Sequence, residues 1–446
     1  MHSKSILSIF TLLLLLPCTL WSQAIPVQVK QVATGEWMLL RDSKPYEIRG
    51  VGGSVQMKKA KEIGANSIRT WGLENAQEIL DEAHKLGLTV MLGMWVPQER
   101  QGFNYNNDVE VQRQIVSFKK AIDQFKDHPA LLMWGIGNEV DLMYTNTKVW
   151  SVINEIATYA HQVDPNHPTC TVTAGLDADE VKWIQKDCPA IDIYGINTYK
   201  DIEGIGKRVK EFGWKGPYVI TEWGPDGYWQ VASTSWKANI EQSSTEKAKV
   251  YETRFKNDIV ANKNQCLGSY VFLWGNKQEH TSTWFGLFNK DGYSCEAVDV
   301  LNAAWNPASL TNHCPQVLDG QLNGKRKGDE IFLQPGYSYE ALIQIADVDQ
   351  DKLHGRWNVV PESRDLKSGG DVESEPPSIP GLVKKSKANS ARIVAPEQEG
   401  AYRLFYEVTD GHGHYGYINI PFFVKKEASY VSKKKWWFKP VTELNP

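Results

Sequence analysis

The chain has 446 residues, a formal net charge of -4 and a hydrophobic fraction of 41%. This length is too great for one small domain and is sufficient for a large core with an accessory module. Basic residues form no sustained block except Lys433-Lys434-Lys435 near the C-terminus, which we interpret as part of a solvated tail. Composition and charge therefore argue against nucleic acid as the main partner.

Residues 1–24 have the pattern of a secretory signal peptide. A basic residue precedes the apolar stretch 6–16, and Ser22-Gln23-Ala24 offers a small-x-small cleavage site. The apolar stretch is too short to span a membrane. A lipid anchor at Cys18 is the alternative, but a proline stands before this cysteine where a small residue is required. We favour cleavage after Ala24 and expect an exported protein, periplasmic, extracellular or at the cell surface.

From residue 46 to residue 305 the chain alternates short apolar runs, typical of buried parallel strands, with longer amphipathic stretches. The clearest helical pattern, 75–86, is stopped by Gly87. The predicted strands are 46–52, 66–72, 89–96, 131–139, 169–175, 191–199, 218–224 and 267–275.

Eight such repeats are typical of a (β/α)8 barrel, which we predict as the catalytic domain, residues 25–306. A doubly wound open sheet is the alternative, but no glycine-rich phosphate loop follows the first strand. Residues 25–44 carry short apolar pieces of their own. These predict either a hairpin that closes the barrel bottom or a vestigial lead-in.

Residues 310–426 predict an accessory β-sandwich of immunoglobulin type, followed by a tail, 427–446. Runs such as 337–346 and 401–409 alternate apolar and polar residues, and no helix-length periodicity is present. The stretch 367–380, rich in Gly, Ser, Glu and Pro, predicts a long loop. No catalytic candidate lies in this module. We therefore expect a barrel without residues 310–446 to fold and to act on small substrates.

The mature chain has an odd number of cysteines, so at least one thiol is unpaired. Spacing allows the bridges Cys170–Cys188 and Cys295–Cys314, or no bridge at all. No CxxC spacing is present, and His412 and His414 flank a glycine without further ligands nearby, so we expect no metal and no cofactor. The five cysteines are Cys170, Cys188, Cys266, Cys295 and Cys314.

Two glutamates close predicted barrel strands. Glu139 ends the run that begins at Leu131, and Glu222 follows the run from Tyr218. Barrel enzymes carry their catalytic groups at the C-terminal ends of strands. Two carboxyl groups in one pocket are what cleavage of a glycosidic bond needs, because one protonates the leaving oxygen while the other attacks or activates water. The sequence therefore predicts Glu139 and Glu222 as the catalytic pair.

Two motifs carry a resemblance to a known family. One motif is Trp134-Gly135-Ile136-Gly137-Asn138-Glu139, and the other is Gly64-Ala65-Asn66-Ser67-Ile68-Arg69-Thr70. Both motifs resemble the barrel domain of glycoside hydrolase family 2, within the clan A retaining glycosidases. The resemblance covers roughly residues 45–305. It implies a double-displacement mechanism on β-linked carbohydrate, with Glu139 as acid/base and Glu222 as nucleophile. It also implies that Asn138 bonds the sugar 2-hydroxyl, a contact that strengthens in the transition state.

Further substrate-binding candidates lie at the other predicted strand ends. Arg69 is the nearest candidate cation to keep Glu222 ionised, and Tyr199 is expected to donate a hydrogen bond to the nucleophile. Asn197 lies on the same strand as Tyr199. Four tryptophans also fall at strand ends, where flat apolar rings suit the faces of pyranose sugars. They are Trp71, Trp95, Trp223 and Trp274, of which the resemblance implies Trp274 as the floor under the sugar.

Aromatic residues in the loops 225–236 and 276–293 are expected to shape the cleft, among them Tyr228, Trp229, Trp236, Trp284 and Phe285. The family's extra domains are not seen before the barrel, so we expect a more open cleft. Two other functions stay open: a β-1,3-glucan-remodelling transglycosylase that uses the same glutamates, and a non-catalytic carbohydrate-binding barrel. The sequence does not determine the sugar, the linkage, exo or endo action, or the oligomeric state.

Overall fold

The computed structural model describes residues 23–306, 308 and 310–426. Nearly all of the proposed signal peptide, including Cys18, and the tail 427–446 lie outside the described residues, so those predictions stay predictions. Within the described part, no helix is both long enough and apolar enough to cross a membrane.

Eight parallel strands close into a barrel, which confirms the main fold prediction. Neighbours in the barrel follow chain order, and the last strand pairs with the first. Every residue of six strands is buried, because helices cover the outside of the barrel and packed side chains fill its inside. The strands are β4 (Ile48–Gly52), β5 (Ser67–Arg69), β6 (Thr89–Met94), β7 (Leu131–Ile136), β8 (Thr169–Ala174), β9 (Ile193–Asn197), β10 (Tyr218–Trp223) and β11 (Cys266–Val271).

Helices follow the barrel strands on the outside. The longest, α3, presents an apolar stripe of buried residues that includes Val111, Ile115 and Ile122, at the spacing of one helical face. The helices are α1 (Met57–Glu62), α2 (Ala76–Leu86), α3 (Asp108–Phe125), α4 (Lys148–Val163), α5 (Ala178–Asp187), α6 (Ile205–Glu211), α7 (Ser244–Arg254) and α8 (Glu296–Trp305).

A small antiparallel sheet precedes the barrel. Its strands are β1 (Val27–Gln31), β2 (Trp37–Arg41) and β3 (Lys44–Pro45). Val27 and Leu39 pack into one apolar cluster with Ile48 and Leu132, which lie near the N-terminal ends of their barrel strands. Of the two possibilities for residues 25–44, the structure therefore shows a sheet that closes the barrel bottom.

After the barrel, nine strands form two sheets whose apolar faces share one buried cluster. One sheet has the order β13-β12-β15-β18-β17 and the other has the order β14-β20-β19-β16. The sheets are not wholly antiparallel, because β14 pairs parallel with β20. The immunoglobulin type stays a prediction. The strands are β12 (Gln316–Leu322), β13 (Lys325–Arg326), β14 (Phe332–Leu333), β15 (Ser338–Ala346), β16 (His354–Pro361), β17 (Val383–Ser386), β18 (Ser390–Val394), β19 (Gly400–Thr409) and β20 (Tyr415–Val424).

The two-sheet module packs tightly on the barrel. Tyr415 and Tyr417 of β20 belong to the hydrophobic cluster of the barrel itself. A buried ion pair joins Lys247 to Glu241 with 2.6 Å between Nζ and Oε1, and Asn419 of the module donates to the second oxygen of Glu241 at 2.5 Å. Buried charges need such partners. The module therefore supplies both apolar side chains and a hydrogen-bond donor to the buried part of the barrel.

The five described cysteines are free and buried, so neither bridge that spacing allowed is formed. Burial raises the pKa of Cys170 and of Cys266 to about 12. These thiols therefore act as small apolar core residues.

Candidate active site

A cavity of about 550 Å³ opens at the C-terminal end of the barrel. Barrel enzymes carry their chemistry at this end. The structure brings most of the predicted site residues together here, and Arg69 lies directly behind the cavity wall. The predicted residues that line the cavity are Trp71, Trp95, Asn138, Glu139, Asn197, Tyr199 and Glu222.

The end of β7 places Asn138 and Glu139 side by side at the mouth. The strand ends at Ile136, and both Gly137 (φ 82°) and Glu139 (φ 48°) then adopt left-handed backbone conformations. A Cβ atom on Gly137 would stand 3.1 Å from Val140 Cγ1, so glycine suits this position in space as well as in φ. The backbone N–H of Glu139 donates to the Val172 carbonyl at 2.9 Å, which fixes the turn. Left-handed conformations of residues other than glycine concentrate at functional sites.

Glu222, on β10, accepts hydrogen bonds on both carboxylate oxygens. Arg69 Nη1 (2.9 Å) and Trp71 Nε1 (2.7 Å) donate to Oε1. The Tyr199 hydroxyl donates to Oε2 at 3.0 Å. Burial, followed by the charge of Glu222, raises the pKa of Tyr199 well above its ordinary value, so this hydroxyl stays a donor. Glu222 therefore has one positively charged donor and two neutral donors on its two carboxylate oxygens.

Glu139 has a different environment. Burial, and next the negative charge of Glu222, raise its pKa to about 8. Asn197 opposes this shift by donating from Nδ2 to Glu139 Oε1 at 2.8 Å. The cavity therefore holds one carboxyl group that is protonated at neutral pH beside one that has the partners of a carboxylate. This is the division between general acid and nucleophile that glycosidic bond cleavage uses.

Asn138 is held by its side-chain oxygen. Its Oδ1 accepts from Arg69 Nη2 at 2.6 Å and from Asn197 Nδ2 at 3.1 Å. Two donors on one atom identify that atom as the oxygen of the amide. The amide NH2 group is then left to donate to a ligand hydroxyl in the cavity, as predicted for the sugar 2-hydroxyl.

Two predicted tryptophans do not line the cavity. Trp223 is fully buried and packs on Tyr251 with ring centroids 5.3 Å apart, because successive side chains of a strand point to opposite faces and Glu222 takes the inward position. Trp274 is also fully buried, with its ring against Phe288. The prediction of Trp274 as the sugar floor was wrong, because β11 ends at Val271 and the next two residues, 272 and 273, form the wall instead.

The aromatic loops 225–236 and 276–293 supply part of the cavity lining. Tyr228 and Trp229 line the cavity, and Phe285 supports it by packing on Tyr199 with ring centroids 5.0 Å apart. Trp236 instead packs on Phe332 of the C-terminal module. Trp284, which is almost wholly buried, lies outside the lining as well.

Sequence reasoning missed several lining residues. Lys277 and Glu279 lie on the loop after β11, and residues 368–370 come from the C-terminal module. The apolar residues Leu142 and Met143 lie just beyond the general acid candidate. The sequence around Ser368 signals only a loop, so nothing local could have placed it at the barrel mouth.

Comparison with known proteins identifies the family of the barrel domain. The family model described as "Glycosyl hydrolases family 2, TIM barrel domain" matches residues 55–279, half of the chain. The chain belongs to this family.

Curated relatives include the β-glucuronidases of Chlorocebus aethiops, 24% identical over 196 residues, and of Homo sapiens, 22% identical over 196 residues. Each match covers 39% of this chain and only 28% of the relative. Solved structures show the same fold. A calcium-binding mutant of β-glucuronidase 2 from Bacteroides uniformis has a TM-score of 0.50 at 14% identity, covering 90% of this chain and 48% of that one. The β-glucuronidase of Ruminococcus gnavus has a TM-score of 0.51 at 17% identity, with 64% and 53% covered.

Proposed function

We propose that this protein is a retaining hydrolase of β-linked glycosides. The observation that carries the proposal is the contrast between two carboxyl groups in one cavity. Glu139 has a pKa raised to about 8, while Glu222 is surrounded by a guanidinium and two further donors. Glu139 protonates the leaving glycosidic oxygen while Glu222 attacks the anomeric carbon and forms a glycosyl-enzyme. Glu139, now deprotonated, then takes a proton from the water that releases the sugar.

The surrounding groups support this assignment of roles. Asn138 is anchored through its oxygen by Arg69 and Asn197, so its NH2 group is held rigidly beside the general acid. Donors that are fixed in advance stabilise charge in a transition state without reorganising. Trp71 and Trp95 add flat apolar surface at the same mouth, which suits a sugar ring.

The charge of the cavity points to a neutral sugar. Within the described part of the chain, Lys277 is the single basic side chain that lines the cavity, against the acidic residues Glu139, Asp201, Glu222 and Glu279. Lys277 Nζ lies 3.1 Å from Glu279 Oε2, so its charge is already paired. A uronic acid would bring a further negative charge into this cavity, and like charges disfavour binding. We therefore propose a neutral β-glycoside as substrate, although the relatives above are β-glucuronidases.

A panel of nitrophenyl β-glycosides, with the β-glucuronide among them, tests both proposals. We expect turnover of at least one neutral glycoside, with the β anomer as the first product seen by NMR. The α anomer as first product would contradict retention, and turnover of the glucuronide alone would contradict the neutral sugar. Products longer than the substrate would favour a transglycosylase, and no turnover with tight binding would favour a non-catalytic barrel.

Two variants separate the roles of the glutamates. Glu222→Ala should abolish turnover, and added azide should restore it with inverted product stereochemistry, because azide takes the place of the missing carboxylate. Glu139→Ala should lose kcat/KM on substrates with poor leaving groups and keep kcat/KM on nitrophenyl glycosides, which need no proton in the first step. Its kcat should fall on all substrates, because the second step lacks its base. The reverse pattern would mean that the roles are exchanged.

We also propose that the protein is exported, from the signal-like pattern of residues 1–24. Expression of the full chain in its cell, followed by fractionation and N-terminal sequencing, should find a mature chain that begins at Ile25. An uncleaved chain in the cytoplasmic fraction would contradict this.

A further inference from the structure

A segment of the C-terminal module reaches across to the barrel and forms part of the cavity wall. We call residues 367–373 the strap. It lies in the long connection between β16 and β17, and its residues 368–370 line the same cavity as the two glutamates. The cavity therefore belongs to both units of the chain.

One side of the strap is bound to the loop after β6. Arg100 from that loop forms a two-pronged contact with Asp371, with Nη1 2.9 Å from Oδ2 and Nη2 3.1 Å from Oδ1. Its Nη1 also donates to the carbonyl of Ser368 at 3.2 Å. Such bidentate pairs fix geometry as well as adding energy. The Arg100 side chain is only 9% exposed, which limits screening by solvent.

The other side of the strap is bound to the loops after β10 and β11. Lys277 Nζ donates to the carbonyl of Gly370, and the backbone N–H of His280 donates to Glu373 at 2.7 Å. The Tyr228 hydroxyl donates to the carbonyl of Lys367 at 3.2 Å. Since β4 and β5 separate β6 from β11 in the barrel, the strap spans the mouth on the side of these two strands.

Close packing makes the strap a fixed wall. A Cβ atom on Gly369 (φ 63°) would stand 2.6 Å from Arg100 Nη2 and 2.8 Å from Leu142 Cδ2. One on Gly370 (φ 72°) would stand 3.0 Å from Lys277 Nζ. No larger residue fits at position 369 without moving its neighbours. The barrel itself offers little on this side, because only short connections, residues 53–56 and 70–75, follow β4 and β5.

We propose that the strap closes one end of the substrate cleft and so restricts the enzyme to the ends of saccharide chains. The proposal rests on the proposed glycosidase function. A cleft without the strap would let a polymer run across the mouth over β4 and β5. With the strap in place, a bound saccharide extends beyond the glutamates in one direction only, and the sugar units that would lie under the strap have no space.

Binding of oligosaccharides of increasing length tests this proposal without turnover. The Glu139→Gln variant is a suitable background, because glutamine resembles the protonated glutamic acid and leaves the Glu222 contacts in place. The ligands are β-1,3- and β-1,4-linked gluco-oligosaccharides and β-1,4-linked manno-oligosaccharides, and their affinity is measured by calorimetry. In this background we expect the affinity to level off after the first few sugar units. Adding Arg100→Ala and Asp371→Ala should free the strap, so that affinity continues to rise and long chains gain at least tenfold over the disaccharide.

Two controls make the result specific. Glu375 pairs with Lys290 across the same junction and lies outside the cavity lining, so Glu375→Gln should leave the length profile unchanged. Arg100→Lys keeps the charge and should keep most of the closure. It serves as the second test variant if the triple variant folds poorly. An identical length profile with and without Arg100 and Asp371, in folded protein, overturns the strap proposal alone. If no saccharide binds to any variant and the wild type cleaves no glycoside, the proposed function fails as well.

Discussion

The two candidate catalytic carboxyl groups are chemically identical, and their neighbours alone make them different. Glu222 has Arg69, Trp71 and Tyr199 around its two oxygens. Glu139 has Asn197 as its one hydrogen-bond donor within the described residues, and it faces the charge of Glu222. Burial disfavours the charge on any carboxyl group, so the group with fewer compensating partners keeps its proton.

This contrast predicts the basic limb of the pH–rate profile. The general acid must be protonated, and the pKa of Glu139 is raised to about 8, so kcat/KM should fall as the pH rises through about 8. The measurement is the pH dependence of kcat/KM with a substrate whose leaving group needs protonation. Nitrophenyl glycosides with strong leaving groups should show a weaker basic limb, and a fall centred near the ordinary pKa of a glutamic acid would contradict the assignment.

Charge repulsion between the two glutamates gives a second prediction. Glu222→Gln should lower the pKa of Glu139, because the nearby negative charge is its second cause after burial. NMR titration with carbon-labelled glutamate measures this directly. Asp141→Asn is the matched control: Asp141 also raises the pKa of Glu139 but is a lesser cause, so its removal should produce a smaller decrease. Equal decreases in both variants would argue against direct coupling of the pair.

Arg69 is the charge on which the site depends most. Its Nη1 donates to Glu222, to the carbonyl of Thr221 at 2.8 Å and to Asn197, while Nη2 holds Asn138. Arg69→Met leaves a buried carboxylate without its cation, and such a loss costs about 3–5 kcal/mol. We expect kcat to fall by more than a hundredfold and the melting temperature to drop. Arg69→Lys should recover part of the stability and less of the rate, because one ammonium group cannot reach all four acceptors.

At the level of elements, the site is formed where regular structure stops. β7 ends at Ile136, and two left-handed residues, Gly137 and Glu139, then present Asn138 and Glu139 to the cavity. A continued strand would have pointed one of these two side chains away, since successive side chains alternate between faces. The break at the end of the strand therefore helps to orient Glu139, the candidate general acid, toward the cavity.

Gly137→Ala tests the importance of this break. The substitution places a Cβ atom in a left-handed conformation, at a cost of roughly 1–2 kcal/mol, and 3.1 Å from Val140 Cγ1. Gly204→Ala is the matched control, because Gly204 (φ 74°) has the same hand and no atom within 4 Å of its Cβ position. Thermal unfolding should show a similar loss for both variants. Only Gly137→Ala should also reduce kcat, and equal activity in both would show that the turn does not position Glu139.

The sequence was most informative about strand interiors. Apolar runs locate the eight barrel strands because buried parallel strands need apolar residues on both faces, and β6 begins at the predicted Thr89. Strand ends were less predictable: β7 stops three residues before Glu139, and β11 stops three residues before Trp274. Tryptophan occurs both in protein cores and at sugar-binding sites, so residue type alone could not distinguish Trp71 from Trp223. Only the register of each strand makes that distinction.

Across the whole molecule, the contacts that shape the cavity join residues that are distant in sequence. Arg100 and Asp371 are 271 positions apart, and neither lies in a recognisable motif. A loop rich in glycine and serine shows only that a loop is present, and its docking site depends on how two folded units meet. The prediction of a more open cleft took no account of this module, whose residues 368–370 line the cavity and whose position local sequence could not reveal.

The junction between the two units leads to a prediction opposite to the one from sequence. Deletion of residues 310–446 would remove Asn419 from Glu241 and uncover the barrel surface that Tyr415 and Tyr417 cover. It would also remove the backbone N–H of Val317, which donates to Thr245 Oγ1 at 2.9 Å. Each hydrogen bond lost in this way contributes about 0.5–1.5 kcal/mol, and the newly exposed apolar surface adds to the loss, which is large against the marginal stability of a domain. We expect an aggregated or poorly folded barrel.

A point variant at the same junction separates stability from shape. Asn419→Ala keeps the strap and the apolar contacts. It removes the donor to Glu241 and the acceptor of Arg403 Nη1, so it should lower the melting temperature and leave KM for small glycosides unchanged. The truncated barrel should lack activity even where some of it stays soluble, because Tyr415 and Tyr417 are missing from the hydrophobic cluster of the barrel that carries the site. A soluble, cooperatively unfolding truncation with wild-type kinetics on nitrophenyl glycosides would show that the barrel is independent of the module. The strap would then act only on longer saccharides, whose chains extend to the end of the cleft that it closes.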